Sequence, residues 1–231
     1  MLILAIDTAL DACAAAVLDT ETAELRAHES LPMKRGHAEA LMPLIARVMQ
    51  SAELGFTALD RIAVTTGPGS FTGLRVGISA ARGLALASGK PAVGLTTLSA
   101  YAAAIVSQNK SAPVLSAIDA RHDHVYFQIV AGDGSQLVRP GVASIDEAIA
   151  ASQFGAPHLV GNAASILADR WPKDGPQPVA VDAQPAPDIG WIAWLGAAAN
   201  PDTTPARPFY LKAPDAKPAA QKHLAAQAAT S

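Results

Sequence analysis

The run LILAID at residues 2–7 places five apolar side chains in a row ahead of an aspartate, and so short a segment without a polar face suits a buried strand. ACAAAVLD (12–19) and AELRAHES (23–30) follow with turn residues between them, so the chain is predicted to open as a three-stranded antiparallel meander. From Gly36 the apolar spacing becomes helical, with Leu41, Leu44, Ile45, Val48 and Met49 recurring at three and four residues. Helix one therefore spans 36–53, and Pro43, which removes a backbone donor, predicts a kink or a late start.

IAVTTGPGS (62–70) reads as a strand entering a sharp turn, and 71–91 as a second helix closed by Gly89 and stopped by Pro91. A third helix near 96–108 completes a first lobe, residues 1–108. APVLSAIDARHDHVYFQIV (112–130) restarts the strand-turn-strand theme, which suggests two related lobes, the second covering 109–211. Within it, 144–152 is helical, with Ser144 as N-cap and Glu147 completing a capping box; 158–170 is strand then helix, and 188–199 another helix. After about Asn200 the chain turns rich in Pro, Ala and Lys, and 212–231 is expected to be a flexible tail.

Half of the 231 residues are hydrophobic, enough for a substantial core. The net charge of −3 argues against a stand-alone nucleic-acid binder, so any RNA contact is expected to need a partner's help. The single cysteine, Cys13, cannot form an internal disulfide and points to a buried thiol in a reducing compartment, by default the cytoplasm. The opening apolar run meets Asp7 too soon for a signal peptide or a membrane span.

In helix two, Gly73, Gly77, Ala81, Ala85 and Gly89 stand four residues apart and form one ridge of minimal side chains. Each interior glycine costs about 0.5–1 kcal/mol relative to alanine, so the ridge calls for a packing reason. Two readings stand open: the helix packs on its own sheet, or a partner helix settles there. GPGSFTGLRVG (67–77) also lies between a strand and a helix N-terminus, where N–H groups could meet an anion, yet it matches neither GxGxxG nor GxxxxGK[ST]. Ser70 and Thr72 are read as N-capping residues, since GPGSFTG is not GxSxG. Asp7, Asp11 and Asp119 could face a cleft between the lobes, although aspartate at such positions more often caps a turn. His122 and His124 are an exposed pair with too few ligands for zinc, and the six histidines contain no HExxH or HxxxH pair. His37 opens helix one and suits a local cap or an interface hydrogen bond. Arg75 and Arg82, seven apart, are either solvated charges or the rim of an interface. Trp191 and Trp194 share a helix face as core or interlobe packing.

ILAIDTALDACAAAV (3–17), GHAEALMPLI (36–45), GPGSFTGLRVGISAARGLALA (67–87), IDARHDHVYF (118–127) and PFYLKAPDAK (208–217) together resemble the bacterial TsaB family, also called YeaZ, over nearly the whole chain. The resemblance implies an α/β actin-like, Hsp70-like, sugar-kinase fold of two lobes, each a mixed sheet flanked by helices, the second reduced. It also implies a non-catalytic scaffold that pairs with TsaD through helices one and two, with TsaE as a further partner, for threonylcarbamoyl transfer to the adenosine beside the tRNA anticodon. ATP or ADP and metal are then expected on the partner subunits, tRNA is reached only through the complex, and no catalytic, cofactor or metal residue is expected here. His37, Leu41, Leu44, Gly73, Arg75, Gly77, Ala81 and Arg82 are the expected interface. The turns Asp7–Asp11 and Asp119–Arg121, where active members of the fold carry phosphate-gripping glycines, contain none, and VGNA (160–163) keeps only Gly161. Ala9 replaces a commonly hydroxylated position and Ala163 a commonly glycine one. A small self-sufficient ATPase or sugar kinase of the same fold is the alternative, and a homodimer through the same ridge is the third possibility.

Overall fold

Strand β1 (Leu2–Asp7) runs through the middle of a five-stranded sheet because both of its faces are apolar: Leu4 and Ile6 point into one layer of core and Ile3 and Ala5 into the other. The computed structural model describes residues 1–108 and 111–212. β2 (Ala12–Asp19) and β3 (Glu24–Pro32) complete the antiparallel meander, while β4 (Arg61–Gly67) and β5 (Ala92–Thr96) join β1 in parallel, giving the order β3-β2-β1-β4-β5. α1 (His37–Ser51) and α2 (Phe71–Ser88) cover one face, burying Leu41, Leu44, Ile45, Leu74 and Ile78 against Leu4, Ile6, Val17 and Val64. α1 begins at His37 and runs on through the exposed Pro43, so the expected late start does not occur.

The second sheet repeats the first. β6 (Val114–Asp119), β7 (His124–Val130) and β8 (Gln136–Ser144) form a meander, and β9 (His158–Val160) and β10 (Ala180–Asp182) add in parallel, giving the order β10-β9-β6-β7-β8. Read from its first strand, each sheet has the same sequence of neighbours, so the echo in the sequence is a duplicated lobe. The second copy is reduced: α4 (Ile145–Ala150) and α5 (Ala164–Asp169) have six residues each, and β9 and β10 three. The Ser144–Glu147 capping box forms as expected. The architecture is two five-stranded mixed sheets flanked by helices, as expected.

The lobes exchange their last helices. α3 (Thr97–Gln108) leaves the first sheet and places Leu98, Tyr101 and Ile105 in one core with Val114, Ile118, Val130 and Val160 of the second. α6 (Ile189–Ala198) returns to the first sheet, where Ile189, Ile192 and Ala193 cover Ile3, Ala5, Ala16 and Ala63. The expected assignment of 109–211 to the second lobe is therefore corrected at its end: α6, and the segment after it, which hydrogen-bonds through Thr204 and Phe209 to β5 and β4, belong to the first. Trp191 and Trp194 stand half-buried where the helices meet, lining a groove of about 420 Å³ with Ala102, Val106 and Val130. Of the tail expected at 212–231, all but Lys212 lies outside the described residues.

Candidate functional site

From Gly73 to Ala85 the small-residue ridge of α2 faces inward, whereas Gly89, the left-handed C-cap, is exposed. A Cβ on Gly73 would collide with the Thr8 carbonyl oxygen, and one on Gly77 with the Thr8 hydroxyl, while also lying 3.4 Å from Val64 Cγ2. Ala81 is wholly buried. The β1–β2 turn and β4 occupy this strip, so of the two readings left open by the sequence, internal packing is the one the geometry carries. Spacing by four places residues on one stripe of a helix but does not say which side of the helix meets the sheet.

The other expected interface residues divide in the same way. Leu41 and Leu44 are 1% and 0% exposed beneath α1, and His37, also buried, sets its Nε2 3.1 Å from the Leu10 carbonyl oxygen. These six residues, His37, Leu41, Leu44, Gly73, Gly77 and Ala81, are core of this chain and not surface, a correction to the expected contact set. Arg75 and Arg82 are exposed. The outer surface of the same layer holds residues outside the expected contact set: Met42 on α1, 47% exposed, and on α2 Leu86, 86% exposed, with Gly83 one turn before it. A Cβ on Gly83 would meet nothing within 4 Å. A glycine in mid-helix with open space around it has no packing reason inside this chain, and its sequence signal is an interior glycine off the Gly73–Gly77–Ala81–Ala85 stripe.

The GPGSFTG turn is closed on the first hairpin. The Ser70 backbone N–H donates to the Ala9 carbonyl at 2.7 Å, and the Thr8 hydroxyl donates to the Gly73 carbonyl at 2.7 Å. A side chain on Gly69 would strike Ala9, so glycine is required here for the approach of the chain's own backbone. Ser70 caps α2 by accepting from the Gly73 N–H at 3.2 Å, as expected, whereas Thr72 lies inside the helix and is not its cap. Asp7 is fully buried; its Oδ1 accepts from the Thr65 hydroxyl and from the Ala9 N–H at 3.0 Å, and its Oδ2 has no partner among the described residues. Burial holds this carboxyl above the usual carboxylate range, against the opposing pull of the Thr65 hydrogen bond. Burial also pushes the Cys13 thiol up to about 11, with the nearby Asp7 charge acting in the same direction.

In the second hairpin Asp119 caps a turn, its Oδ1 accepting from the Arg121 N–H at 2.7 Å. Arg121, His122 and Asp123 all take left-handed backbone angles, with φ of 61°, 53° and 64°. Arg170 fixes that turn by gripping Asp123 through both terminal nitrogens, at 2.7 and 3.0 Å. Asn162 accepts from the Asp119 N–H at 2.9 Å, and a Cβ on Gly161 would collide with the Ala117 carbonyl oxygen. Asp11 is exposed and lies 3.9 Å from Lys34 Nζ. Among the described residues no three His, Cys, Asp or Glu side chains are set to hold a metal ion, and no helix is long and apolar enough to cross a membrane.

The profile of the tRNA N6-adenosine threonylcarbamoyltransferase family, TsaD, matches residues 27–170. The tRNA threonylcarbamoyladenosine biosynthesis protein TsaB of Escherichia coli strain K12 is 39% identical over 127 residues, 55% of this chain and 54% of that protein. The chain thus spans about half the length of the first curated relatives it matches. An uncharacterized protein of Mycobacterium tuberculosis strain H37Rv is 32% identical over 221 residues, covering 94% of this chain and 95% of the relative. Among solved structures, YeaZ from Pseudomonas aeruginosa superposes with a TM-score of 0.76 at 27% identity, covering 91% of this chain and 99% of its own.

Proposed function

The chain belongs to the TsaB (YeaZ) family, and from that premise we propose that it is a non-catalytic subunit of tRNA threonylcarbamoyladenosine synthesis that binds TsaD through the outer faces of α1 and α2. One observation carries the interface: Leu86 stands 86% exposed beside the open Gly83, with Met42 on the neighbouring helix. Burying a leucine of that exposure contributes about 1.5–3 kcal/mol, and a bare glycine lets a second helix approach closely. Because the matching profile is that of TsaD, the partner has a related fold, and equivalent helices on the two chains can meet about a pseudo-twofold axis. Arg75 and Arg82 then border the contact, each contributing little. TsaE joins the pair, and the nucleotide and metal sit on the partner subunits.

The non-catalytic reading is supported by where the glycines point. In both hairpins the close approaches that glycine permits, at Gly69, Gly73 and Gly161, are made by this chain's own carbonyls. Asp7 is likewise turned into hydrogen bonds with Thr65 and Ala9. This reading places the protein in the cytoplasm, where it would act on tRNA through the complex.

The test is co-purification with TsaD. Leu86→Glu and Gly83→Glu should each abolish it while the thermal unfolding of the isolated chain stays close to wild type. Association surviving both substitutions would remove α1 and α2 from the interface, and saturable ATP turnover by the chain alone would replace the scaffold with the kinase or ATPase reading. A second copy can occupy the same face when TsaD is absent, and sedimentation with and without TsaD separates the two assemblies.

A further inference from the structure

At the start of α2, where Arg75 borders the proposed TsaD contact, two exposed aromatic rings extend the surface beyond it. Phe71 and Tyr210 stack with ring centroids 5.5 Å apart and an interplanar angle of 29°. The Arg75 guanidinium carbon lies 3.8 Å from the Phe71 ring centroid, and Arg75 Nε donates to the Tyr210 hydroxyl at 3.3 Å. These aromatic rings are not core: Phe71 is 41% exposed, Tyr210 43% and the adjacent Phe209 36%. The cluster is also held in place. Phe209 N–H donates to the Thr66 carbonyl at 2.8 Å and Gly94 N–H to the Thr204 carbonyl at 2.8 Å, which pins the segment carrying Tyr210 to the edge of the first sheet. Its ordering cost is therefore met on folding and not on binding.

We propose that Phe71, Arg75 and Tyr210 form a stacking platform on which this chain itself holds an unpaired RNA base, with Arg75 meeting the adjoining phosphate. Every base offers a flat face to an aromatic ring, and an arginine already aligned beside the stack adds a positive charge with donors to spare. Charge favours an anionic partner over a neutral or basic protein segment, and the flat aromatic faces favour a base over an acidic peptide. Although the whole chain carries −3, residues 61–118 contain no aspartate or glutamate, so α2 presents Arg75 and Arg82 without a competing carboxylate of its own. The choice of RNA rests on the tRNA-modification reading; the geometry of the platform does not.

The experiment measures binding of a fluorescein-labelled RNA hairpin with an unpaired loop, and of a blunt RNA duplex, to the full chain alone and in its complex with TsaD. The hairpin should bind more tightly than the duplex. Tyr210→Ala should weaken hairpin binding about tenfold, whereas Tyr210→Phe, which keeps the ring, should hold it. Arg75→Gln should lower the slope of log affinity against log salt by about 0.7, the contribution of one single-strand phosphate. Circular dichroism melts matching wild type show that each variant is folded. Equal affinity for hairpin and duplex, an unaltered Tyr210→Ala, or no RNA binding in either form overturns the proposal. Loss of TsaD from Tyr210→Ala with RNA affinity unchanged also overturns it, assigning the cluster to a protein contact. Failure of the wild-type chain to co-purify with TsaD would count against the proposed function and leaves the RNA measurement on the isolated chain to be read by itself.

Discussion

The hydroxyl of Thr8 donates to the carbonyl of Gly73 at 2.7 Å, tying the β1–β2 turn to the first turn of α2 across 65 residues of sequence. The bond exists because α2 brings no side chain to that line: the turn occupies the volume that Cβ atoms at Gly73 and Gly77 would need. What looks in the sequence like a cradle for phosphate is the place where the fold closes on itself.

Gly77→Ala should therefore destabilise the isolated chain. Its methyl group would be driven into the Thr8 hydroxyl and against Val64, and overpacking of this kind costs about 1–3 kcal/mol. Gly73→Ala should cost at least as much, since its methyl meets a backbone carbonyl that cannot rotate aside. Urea unfolding of the two variants against wild type reads both, and unchanged midpoints would show that the turn does not pack on α2.

Much of this was legible in the chain. The continuous apolar run of β1, the helical spacing of Leu41, Leu44 and Ile45, the Ser144–Glu147 box and the Gly89 stop each reflect local chemistry that no distant contact overrides. The ridge of α2 was also legible, as a period. Its direction was not, because the position of a stripe relative to the sheet depends on tertiary neighbours, Val64 of the preceding strand and Thr8 more than sixty positions away. β8 carries Pro140 and alternates no clear apolar face, and the three residues of β10 hold no pattern, so neither strand has a local signal. The return of α6 to the first sheet has no local signal: a helix with apolar residues all round is marked for burial, without an address.

Asp7 gives the stability of the chain a pH dependence of known sign. Its folded-state pKa is raised above the usual 3.8, with burial as the largest cause. The stability this group supplies is then complete below about pH 3.8 and is lost as the pH climbs through the raised folded value. Asp7→Asn keeps an oxygen to accept from Thr65 and Ala9 but cannot ionise. The stability of Asp7→Asn minus that of wild type should therefore grow more positive with rising pH, measured by urea unfolding across the acid-to-neutral range. A difference that is flat with pH would show that the carboxyl is not held above its ordinary value.

Arg61 closes the other face of the first sheet. One terminal nitrogen of its guanidinium donates to the carbonyls of Gly196 and Ala197 at 2.8 and 3.0 Å and to that of Ala199, capping the last turn of α6 where the helix dipole is negative. Arg61→Met preserves much of the side-chain bulk and leaves those carbonyls without a charged donor. It should cost about 1.5–3 kcal/mol, the range for hydrogen bonds to a charged group, and amide hydrogen exchange should rise first in α6. Loss of protection confined to α1 and α2 would place the effect elsewhere.

Gly83→Ala should shift stability in the direction opposite to Gly77→Ala, although the two positions lie on one helix. Nothing stands within 4 Å of a Cβ at Gly83, so the added methyl meets solvent, and the gain is the helix preference of alanine over glycine, about 0.5–1 kcal/mol. Thermal unfolding of the isolated chain checks it. A stabilised Gly83→Ala beside a destabilised Gly77→Ala would fix which side of α2 is core and which is open. A destabilised Gly83→Ala would mean that the outer face of the helix is already occupied within the single chain, and the surface offered to TsaD would then have to be sought away from Leu86.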